Sequence, residues 1–166
     1  MKELRLNQPF KFRTKKFIDK RGFLSEIFSK KNINLNFNHS IISISKKNVI
    51  RGLHFRTKPE FKILYILRGM ITDYCINLKN KKKFKFRLKE HDCLLIPPGF
   101  AHGYECYNKE NIVIYFLSWP YDKKLQSGIY YKDIDLNIRW KIKKPIISKK
   151  DLSLSSYKNI SKKKYY

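Results

Sequence analysis

The sequence predicts an all-β fold, either a sandwich or a barrel, and three observations support this. The apolar segments are short and rich in β-branched and aromatic residues, which favour strands. Gly, Pro, Asn and Asp residues mark turns between these segments at regular intervals, as in antiparallel β proteins. With 166 residues, the chain is long enough for one core and short for two ordinary domains. We therefore expect a single domain over residues 1–166, with its core at about 9–151.

The predicted strands follow one another along the chain. FKFRTKKFIDKRGFLSEIF predicts a hairpin whose turn lies at 19–22, and SIISIS (40–45) alternates apolar and polar residues as a half-buried strand does. VIRGLHF (49–55) is the next strand. The tail after Asp151, rich in Ser and Lys, predicts a short helix or a frayed end. The other predicted strands are FKILYIL (61–67), MITDYCINL (70–78), FKFRL (84–88), CLLIP (93–97), YECY (104–107) and NIVIYFLS (111–118).

The formal net charge of +25 first suggests a polyanionic partner such as nucleic acid. However, lysines greatly outnumber arginines, and an excess of Lys, Ile, Asn, Phe and Tyr is what an A/T-rich coding sequence produces. A nucleic-acid-binding barrel would alternate Lys and aromatic residues on one surface, whereas these lysines are scattered through turns and the tail. We therefore favour a compositional origin of the charge and expect no nucleic-acid partner.

The lack of a recognisable targeting signal and the spacing of the cysteines both predict a cytoplasmic protein. No run of about 18 apolar residues could span a bilayer, and the segment MKELRLNQPFKF lacks the apolar core of a signal peptide. Cys75, Cys93 and Cys106 lie in separate apolar segments without CxxC spacing. We expect them to be reduced core residues, neither a disulfide framework nor a zinc site.

Three polar side chains interrupt apolar segments. His54 shares a strand face with Gly52 and Arg56, His102 is expected on the Pro/Gly-rich loop of PPGFAHGYE that enters another strand, and Tyr115 lies among apolar neighbours. Each alone is typical of a hydrogen-bonded core residue. Metal-binding barrels of the cupin superfamily carry a His-x-His pair, but Arg56 stands at the second position here, which leaves too few ligands. We therefore expect a metal-free site.

Seven segments occur in a characteristic order and spacing: DKRGFLSEIF, VIRGLHF, FKILYILRG, the aspartate of ITDYCINL, IPPGFAHGY, VIYFLSWPYD and PIISKKD. In this order the chain resembles the dTDP-4-dehydrorhamnose 3,5-epimerase family, the metal-free jelly-roll cupins of deoxysugar synthesis. The resemblance runs from about Asp19 to Asp151. It implies a cupin-type jelly roll that acts, without a cofactor, as an epimerase of a nucleotide-linked 4-keto-6-deoxy sugar. It also implies that the product supplies deoxysugars for surface polysaccharide.

The family inverts carbons beside a ketone, where loss of a proton gives an anion delocalised onto the ketone oxygen. Such a reaction needs a base, an acid on the opposite face of the sugar, and a cation or donor at the oxygen. By the motif match, the resemblance implies that His54 is the base, Tyr115 the acid and Lys62 the cation. It also implies that Asp151 holds the imidazole of His54 in its useful tautomer.

The resemblance also implies which residues bind the substrate. Arg51, Arg21 and Glu26 match the family's nucleotide and diphosphate contacts, His102 matches its AHG histidine, and Tyr121 matches an aromatic that stacks on the base. Guanidinium groups suit a diphosphate because they carry a permanent charge and forked donors. Family members form homodimers that exchange N-terminal strands, so Arg21 and Glu26 are expected to serve the neighbouring subunit. Alternatively, both are ordinary surface charges beside a turn.

Three positions depart from the family pattern. His39 and Ile41 stand where the family has a Gln-x-Asn pair, and Gln126 stands where an acidic residue is expected. Losing these contacts leaves open a 3- or 5-mono-epimerase or another nucleotide-linked ketosugar. A non-catalytic sugar-binding cupin is a further alternative. It predicts a damaged catalytic set, yet none of the four catalytic residues is missing.

Overall fold

The computed structural model describes residues 6–160. Two five-stranded antiparallel sheets contain most of the strands, in the orders β1-β9-β6-β11-β4 (the first sheet) and β12-β5-β10-β7-β8 (the second sheet), and β2 and β3 form a separate hairpin. This confirms the predicted all-β jelly roll. The strands are β1 (Phe10–Arg13), β2 (Lys16–Asp19), β3 (Gly22–Ser25), β4 (His39–Lys46), β5 (Ile50–Arg56), β6 (Lys62–Arg68), β7 (Met70–Asn77), β8 (Lys83–Lys89), β9 (Asp92–Ile96), β10 (Phe100–Cys106), β11 (Glu110–Leu117) and β12 (Gln126–Gly128).

The main core lies between the two sheets, since its buried side chains come from both. Leu64 and Val113 belong to the first sheet, and Ile71 and Tyr104 belong to the second. Residues 27–37 cover the outer face of the first sheet, where Ile33 packs in a separate cluster. Each sheet is therefore covered on both faces over part of its area, which explains the long buried runs of β7, β9 and β10.

The segment after β12 covers the outer face of the second sheet. It contains a short helix, α1 (Lys149–Leu152), and a 3-10 turn at Tyr157–Asn159. Tyr157 is buried, and its hydroxyl donates a hydrogen bond to the Leu78 carbonyl over 2.6 Å. Of the two alternatives predicted for the tail after Asp151, the short helical element is the one found up to residue 160, as the end of α1 and the 3-10 turn. Residues 161–166 of the predicted tail lie outside the described residues.

Two boundaries differ from the sequence prediction. His102 was expected on a loop, but β10 already begins at Phe100, because Phe100 and the next six residues pair with β7. The loop is confined to Pro97–Gly99. FKFR, predicted as part of the hairpin, forms β1 instead and pairs with β9. The hairpin itself consists of β2 and β3, with Asp19 opposite Gly22 as predicted.

The expectation for the cysteines is confirmed, because Cys75, Cys93 and Cys106 are all buried and carry free thiols. Burial raises the pKa of the Cys93 and Cys106 thiols to about 12, so both stay protonated at neutral pH. No helix within residues 6–160 has the length and apolar character needed to cross a membrane.

Candidate active site

A cavity of about 410 Å³ opens between the two sheets, lined by side chains from β4, β6 and β11 on one side and β5, β10 and β12 on the other. Six of the nine predicted site residues line it, namely Arg51, His54, Lys62, His102, Tyr115 and Tyr121. These residues are spread over 71 positions of sequence, from 51 to 121. The fold therefore brings together side chains that local sequence patterns leave unconnected.

His54 is paired with Asp151, as the resemblance implied. The imidazole Nε2 lies 2.8 Å from Asp151 Oδ1, and the carboxylate is buried whereas 37% of the His54 side chain is exposed. Burial alone would raise the pKa of the Asp151 carboxyl, but the hydrogen bond and charge of His54 and the Gly52 N–H outweigh it and lower that pKa. An ionised Asp151 accepts the Nε2 proton, which leaves Nδ1 of a neutral ring as the basic nitrogen.

Local structure fixes Asp151 beneath β5. Ser148 caps the N-terminus of α1 by accepting a hydrogen bond from the Asp151 N–H, and Ile50 donates its N–H to the Ile146 carbonyl. The Gly52 N–H donates to Asp151 Oδ2 over 3.3 Å. Gly52 has a φ of +109°, and a Cβ there would lie 2.6 Å from the Cα of Gly103. Only glycine therefore allows β5 and β10 to approach this closely at the dyad.

Tyr115 projects from β11 on the sheet opposite His54. Its ring centroid lies 6.2 Å from that of His102. Burial raises the pKa of the Tyr115 phenol well above its ordinary value, and the adjacent Tyr104 phenol acts in the same direction. Tyr104 in turn lies 3.1 Å from the Ser43 hydroxyl. Tyr115 is therefore a neutral O–H donor at physiological pH, which is the state that a general acid requires.

Lys62 begins β6 on the same sheet as Tyr115. Its ammonium lies 3.3 Å from Glu60 Oε2, and the other oxygen of Glu60 accepts a hydrogen bond from Arg56 over 3.2 Å. All three side chains are largely buried. Sequence reasoning identified Lys62 but gave no role to Glu60 or to its pairing with Arg56. The signal available was one acidic residue two positions before Lys62, which periodicity alone does not distinguish from a surface charge.

His102 is held by a buried aspartate. Its Nδ1 lies 3.0 Å from Asp73 Oδ2, and the Cys75 thiol donates to the other oxygen over 3.3 Å. Burial lowers the pKa of His102 despite Asp73, and the positive charges of Lys62 and His54 contribute in the same direction. A neutral ring that donates Nδ1–H to Asp73 presents an unprotonated Nε2, which can accept a hydrogen bond from a ligand. Asp73 belongs to a recognised motif, although sequence reasoning assigned it no role.

Arg51 and Tyr121 also line the cavity. The Arg51 guanidinium donates to the Ser45 hydroxyl over 2.8 Å and to the Ile44 carbonyl over 3.2 Å, which fixes it against β4. Tyr121 is more than half exposed. Of the three positions that depart from the family pattern, Ile41 and Gln126 line the cavity, whereas His39 lies at the start of β4.

Arg21 and Glu26 lie outside this cavity, on and just after the β2–β3 hairpin. Arg21 forms a 2.6 Å ion pair with Asp19 at the hairpin tip, and Asn32 donates to Glu26 over 3.3 Å. The hairpin also exposes Ile18, which is 79% accessible. Within one chain, therefore, neither predicted residue reaches the other seven.

The described residues contain no group of three or more His, Cys, Asp or Glu side chains arranged to hold a metal ion. His54 and His102 face each other across paired strands, but each ring engages its own aspartate. The polar groups at the cavity thus include two histidine–carboxylate pairs, a phenol and an ammonium. This set can remove a proton, return one from the opposite side and stabilise an oxyanion.

Comparison with known proteins agrees with this geometry. A family model described as dTDP-4-dehydrorhamnose 3,5-epimerase matches residues 3–159. The protein of that name from Methanothermobacter thermautotrophicus is 34% identical over 151 residues, covering 81% of this chain and 82% of its own. Its counterpart from Shigella flexneri is 29% identical over 157 residues, covering 86% and 87%.

Solved structures give the same result. The dTDP-4-dehydrorhamnose 3,5-epimerase of Sulfolobus tokodaii superimposes with a TM-score of 0.84 at 34% identity, covering 91% of each chain. The Bacillus anthracis protein of the same name, solved with TDP and PPi bound, superimposes with a TM-score of 0.86 at 30% identity and covers 93% of this chain and 97% of its own.

Proposed function

Because the chain belongs to the dTDP-4-dehydrorhamnose 3,5-epimerase family, we propose that it epimerises dTDP-4-keto-6-deoxyglucose at carbons 3 and 5 to give dTDP-4-keto-rhamnose. The observation that carries this proposal is the placement of His54 and Tyr115 on opposite sheets, facing one cavity. A base and an acid on opposite sides of a bound sugar are what inversion of a carbon centre requires.

In the proposed reaction, His54 Nδ1 removes the proton from a carbon next to the ketone. The electron pair of the broken C–H bond delocalises onto the ketone oxygen, where the Lys62 ammonium stabilises the enolate. Tyr115 then donates its phenol proton to the other face of the carbon, and the ketone re-forms. The proton on His54 and the charge on Tyr115 return to their starting states by exchange with solvent. Asp151 stabilises the imidazolium formed in the first step.

The nucleotide is proposed to bind where Arg51 and Tyr121 line the cavity. Arg51 supplies a fixed guanidinium for the diphosphate, and the exposed ring of Tyr121 offers a stacking surface for the base. His102 is proposed to accept a hydrogen bond from the sugar. The lining runs from Ile41 to Leu154, so we propose that the whole chain forms one epimerase domain. We also propose that it works in the cytoplasm and supplies deoxysugar for surface polysaccharide such as O-antigen.

The test of this function is incorporation of solvent deuterium into dTDP-4-keto-6-deoxyglucose, followed by NMR at C3 and C5. Exchange with inversion at both carbons supports the 3,5-epimerase. Exchange at one carbon assigns a mono-epimerase, an activity named for a Streptomyces niveus relative that is 26% identical over 119 residues. Failure with the dTDP-, GDP- and CDP-linked ketosugars overturns the proposal in favour of a sugar-binding protein without turnover.

Replacing Tyr115 with phenylalanine is expected to separate exchange from inversion. His54 still removes the proton, so the substrate carbon still exchanges with solvent. Without the phenol, the proton returns only from the His54 side, and formation of the inverted product falls about 10²- to 10³-fold. The measurement is the ratio of deuterated starting material to epimer by NMR. Unchanged inversion in this variant would assign the acid to another group.

We propose a homodimer in which the β2–β3 hairpin of one protomer reaches the cavity of the other. The support is the exposure of Phe17, Ile18 and Leu24 on the hairpin, together with the distance of Arg21 from its own cavity. Light scattering is expected to give about twice the chain mass of 20.1 kDa. The double variant Ile18→Lys, Leu24→Lys is expected to be monomeric.

Mixing two inactive variants tests which protomer Arg21 serves. If Arg21 acts in the partner's site, refolded mixtures of Arg21→Ala and His54→Ala chains form heterodimers with one intact site and regain activity. If Arg21 is an ordinary surface charge, Arg21→Ala alone keeps wild-type activity.

Ile134→Lys is the matched control for the dimer variant, because Ile134 is 93% exposed outside the hairpin.

A further inference from the structure

Three charged side chains form a buried row of contacts at the wall of the cavity. Arg56 Nη1 donates to Glu60 Oε1 over 3.2 Å, and Glu60 Oε2 lies 3.3 Å from the Lys62 ammonium. The side chains of Arg56, Glu60 and Lys62 are only 7%, 2% and 11% exposed. Glu60 and Lys62 line both the cavity and a small adjoining space walled by Pro97 and neighbouring residues.

The backbone around Glu60 is fixed at both ends. Thr57 donates its N–H to the Leu125 carbonyl over 2.9 Å, and Phe61 donates its N–H to the Ser118 hydroxyl over 3.0 Å. Ser118 returns a hydrogen bond to the Phe61 carbonyl over 3.1 Å. Hydrogen bonds thus hold the backbone on both sides of Glu60, and Arg56 holds its carboxylate.

The contact between Glu60 and Lys62 is an ion pair without an aligned hydrogen bond. Within the described residues, Glu60 Oε2 and Arg56 Nε are the two buried side-chain atoms without an aligned hydrogen bond. The pair at 3.3 Å is therefore an ion pair in which the ammonium is held near the carboxylate while its N–H bonds remain available for another acceptor. The cavity is the open side of Lys62.

The formal charges of these three side chains sum to +1 when Arg56 and Lys62 are protonated and Glu60 is ionised. Without the carboxylate, two buried cations would lie close together, and the ammonium would lose its proton more easily. Without Arg56, the carboxylate and the ammonium would neutralise each other, and the positive charge available to an oxyanion would fall. With Glu60 between the two cations, Lys62 is expected to stay charged, and the three side chains together carry one net positive charge beside the cavity.

Other groups face Lys62 as well. Cys75 of β7 and His102 of β10 interact electrostatically with Lys62, and His54 and Tyr115 line the same cavity from β5 and β11. The Asp73 carboxylate is already engaged by His102 and Cys75, and both histidines add positive charge when protonated. Glu60 is therefore the carboxylate that compensates Lys62 directly.

We propose that Glu60 is a positioning residue that keeps Lys62 protonated and aimed into the cavity, and that Arg56 prevents Glu60 from neutralising it. This inference rests on the proposed function, in which Lys62 stabilises the enolate. In this arrangement Glu60 and Arg56 act on the reaction through the Lys62 ammonium rather than on the reacting atoms.

Two substitutions test it because they act in opposite directions on the same ammonium. In Glu60→Gln, Lys62 is expected to release its proton at a pH about 1–3 units lower than in the wild type. In Arg56→Gln, Lys62 is expected to keep its proton to a higher pH. The measurement is NMR titration of ¹⁵N-lysine side chains without substrate, with the Lys62 signal assigned by its absence in Lys62→Met.

Kinetics supply the second readout. Both variants are expected to lower kcat about tenfold or more while KM changes little, and Glu60→Gln is expected to lose activity at lower pH than the wild type. Glu60→Asp retains the charge and is expected to recover part of kcat. The control is Glu110→Gln, which removes an exposed 2.8 Å ion pair with Arg68 and should leave both readouts unchanged.

The outcomes are decisive even if one variant fails to fold, since Arg56→Gln and Glu60→Asp test the same charge order. Opposite shifts of the Lys62 titration support the proposal. A Lys62 titration and a pH profile that stay at wild-type values in the folded variants overturn it. Because the titration needs no substrate, it decides the role of Glu60 separately from deuterium exchange, whose failure in the wild type would overturn the proposed function instead.

Discussion

Replacing His54 with alanine is expected to abolish solvent-deuterium exchange at both C3 and C5 and to lower kcat/KM by about 10²- to 10⁴-fold. The reason is geometric. His54 lines the cavity on the sheet opposite Tyr115, and its pairing with the ionised Asp151 leaves Nδ1 of the ring free to act as the base. Removal of the ring leaves Tyr115 on one face of the sugar and no base on the other.

The control for this prediction is His91→Ala. His91 lies in the turn between β8 and β9, where its Nδ1 is 2.8 Å from the Tyr65 hydroxyl, and it does not line the cavity. Its loss should leave exchange intact. Thermal unfolding of both variants distinguishes lost chemistry from lost folding. Wild-type exchange at either carbon in His54→Ala would assign the base at that carbon to another residue and would contradict the proposed mechanism.

The His54–Asp151 pair also makes the stability of the folded protein depend on pH in the acid range. The pKa of Asp151 is lower in the folded protein than its ordinary value, so its contribution to stability is full above the ordinary value of 3.8 and is lost as pH falls through the lowered value. His54→Ala removes the hydrogen bond and the charge that lower this pKa. The variant should therefore show a weaker dependence of unfolding free energy on pH in the acid range.

The strands were predictable because their pattern is local. β8 alternates exposure with a period of two, β4 is an alternating Ser/Ile segment, and turn residues limit their neighbours. Sequence alone therefore places both strands within a residue or two. β10 was underestimated because its buried residues Ala101 and Gly103 lack β propensity, and only pairing on both sides makes the segment a strand. β12, with three residues, is too short to carry any periodic signal.

The candidate site was predictable in part, for a different reason. His54 and Asp151 are 97 positions apart, and nothing in either segment indicates that they meet. Their association came from motif resemblance rather than from composition or periodicity. Glu60 and Tyr104 were missed because the sequence does not show that these two side chains are buried beside the cavity. Arg21 and Glu26 remain predictions, since a single chain does not bring them to the cavity.

Replacing Lys62 with methionine is the second large effect expected. Methionine preserves much of the side-chain volume without the charge, so the protein should fold, and Glu60 keeps its hydrogen bond with Arg56. The enolate loses its cation, and kcat is expected to fall about 10²- to 10³-fold with a smaller change in KM. Deuterium exchange should fall with it, because proton removal by His54 depends on stabilisation of the same enolate.

Combining this change with Glu60→Gln shows whether the two residues act as one unit. If Glu60 works only through the Lys62 ammonium, its substitution costs kcat in the wild type but adds nothing in the Lys62→Met background, so the two effects are strongly non-additive. If Glu60 acts on its own, the effects multiply. Lys85→Met is the matched control, since Lys85 is exposed on β8 away from the cavity. Exchange within about threefold of the wild-type rate in Lys62→Met would contradict the assignment of Lys62, because loss of a transition-state contact costs far more.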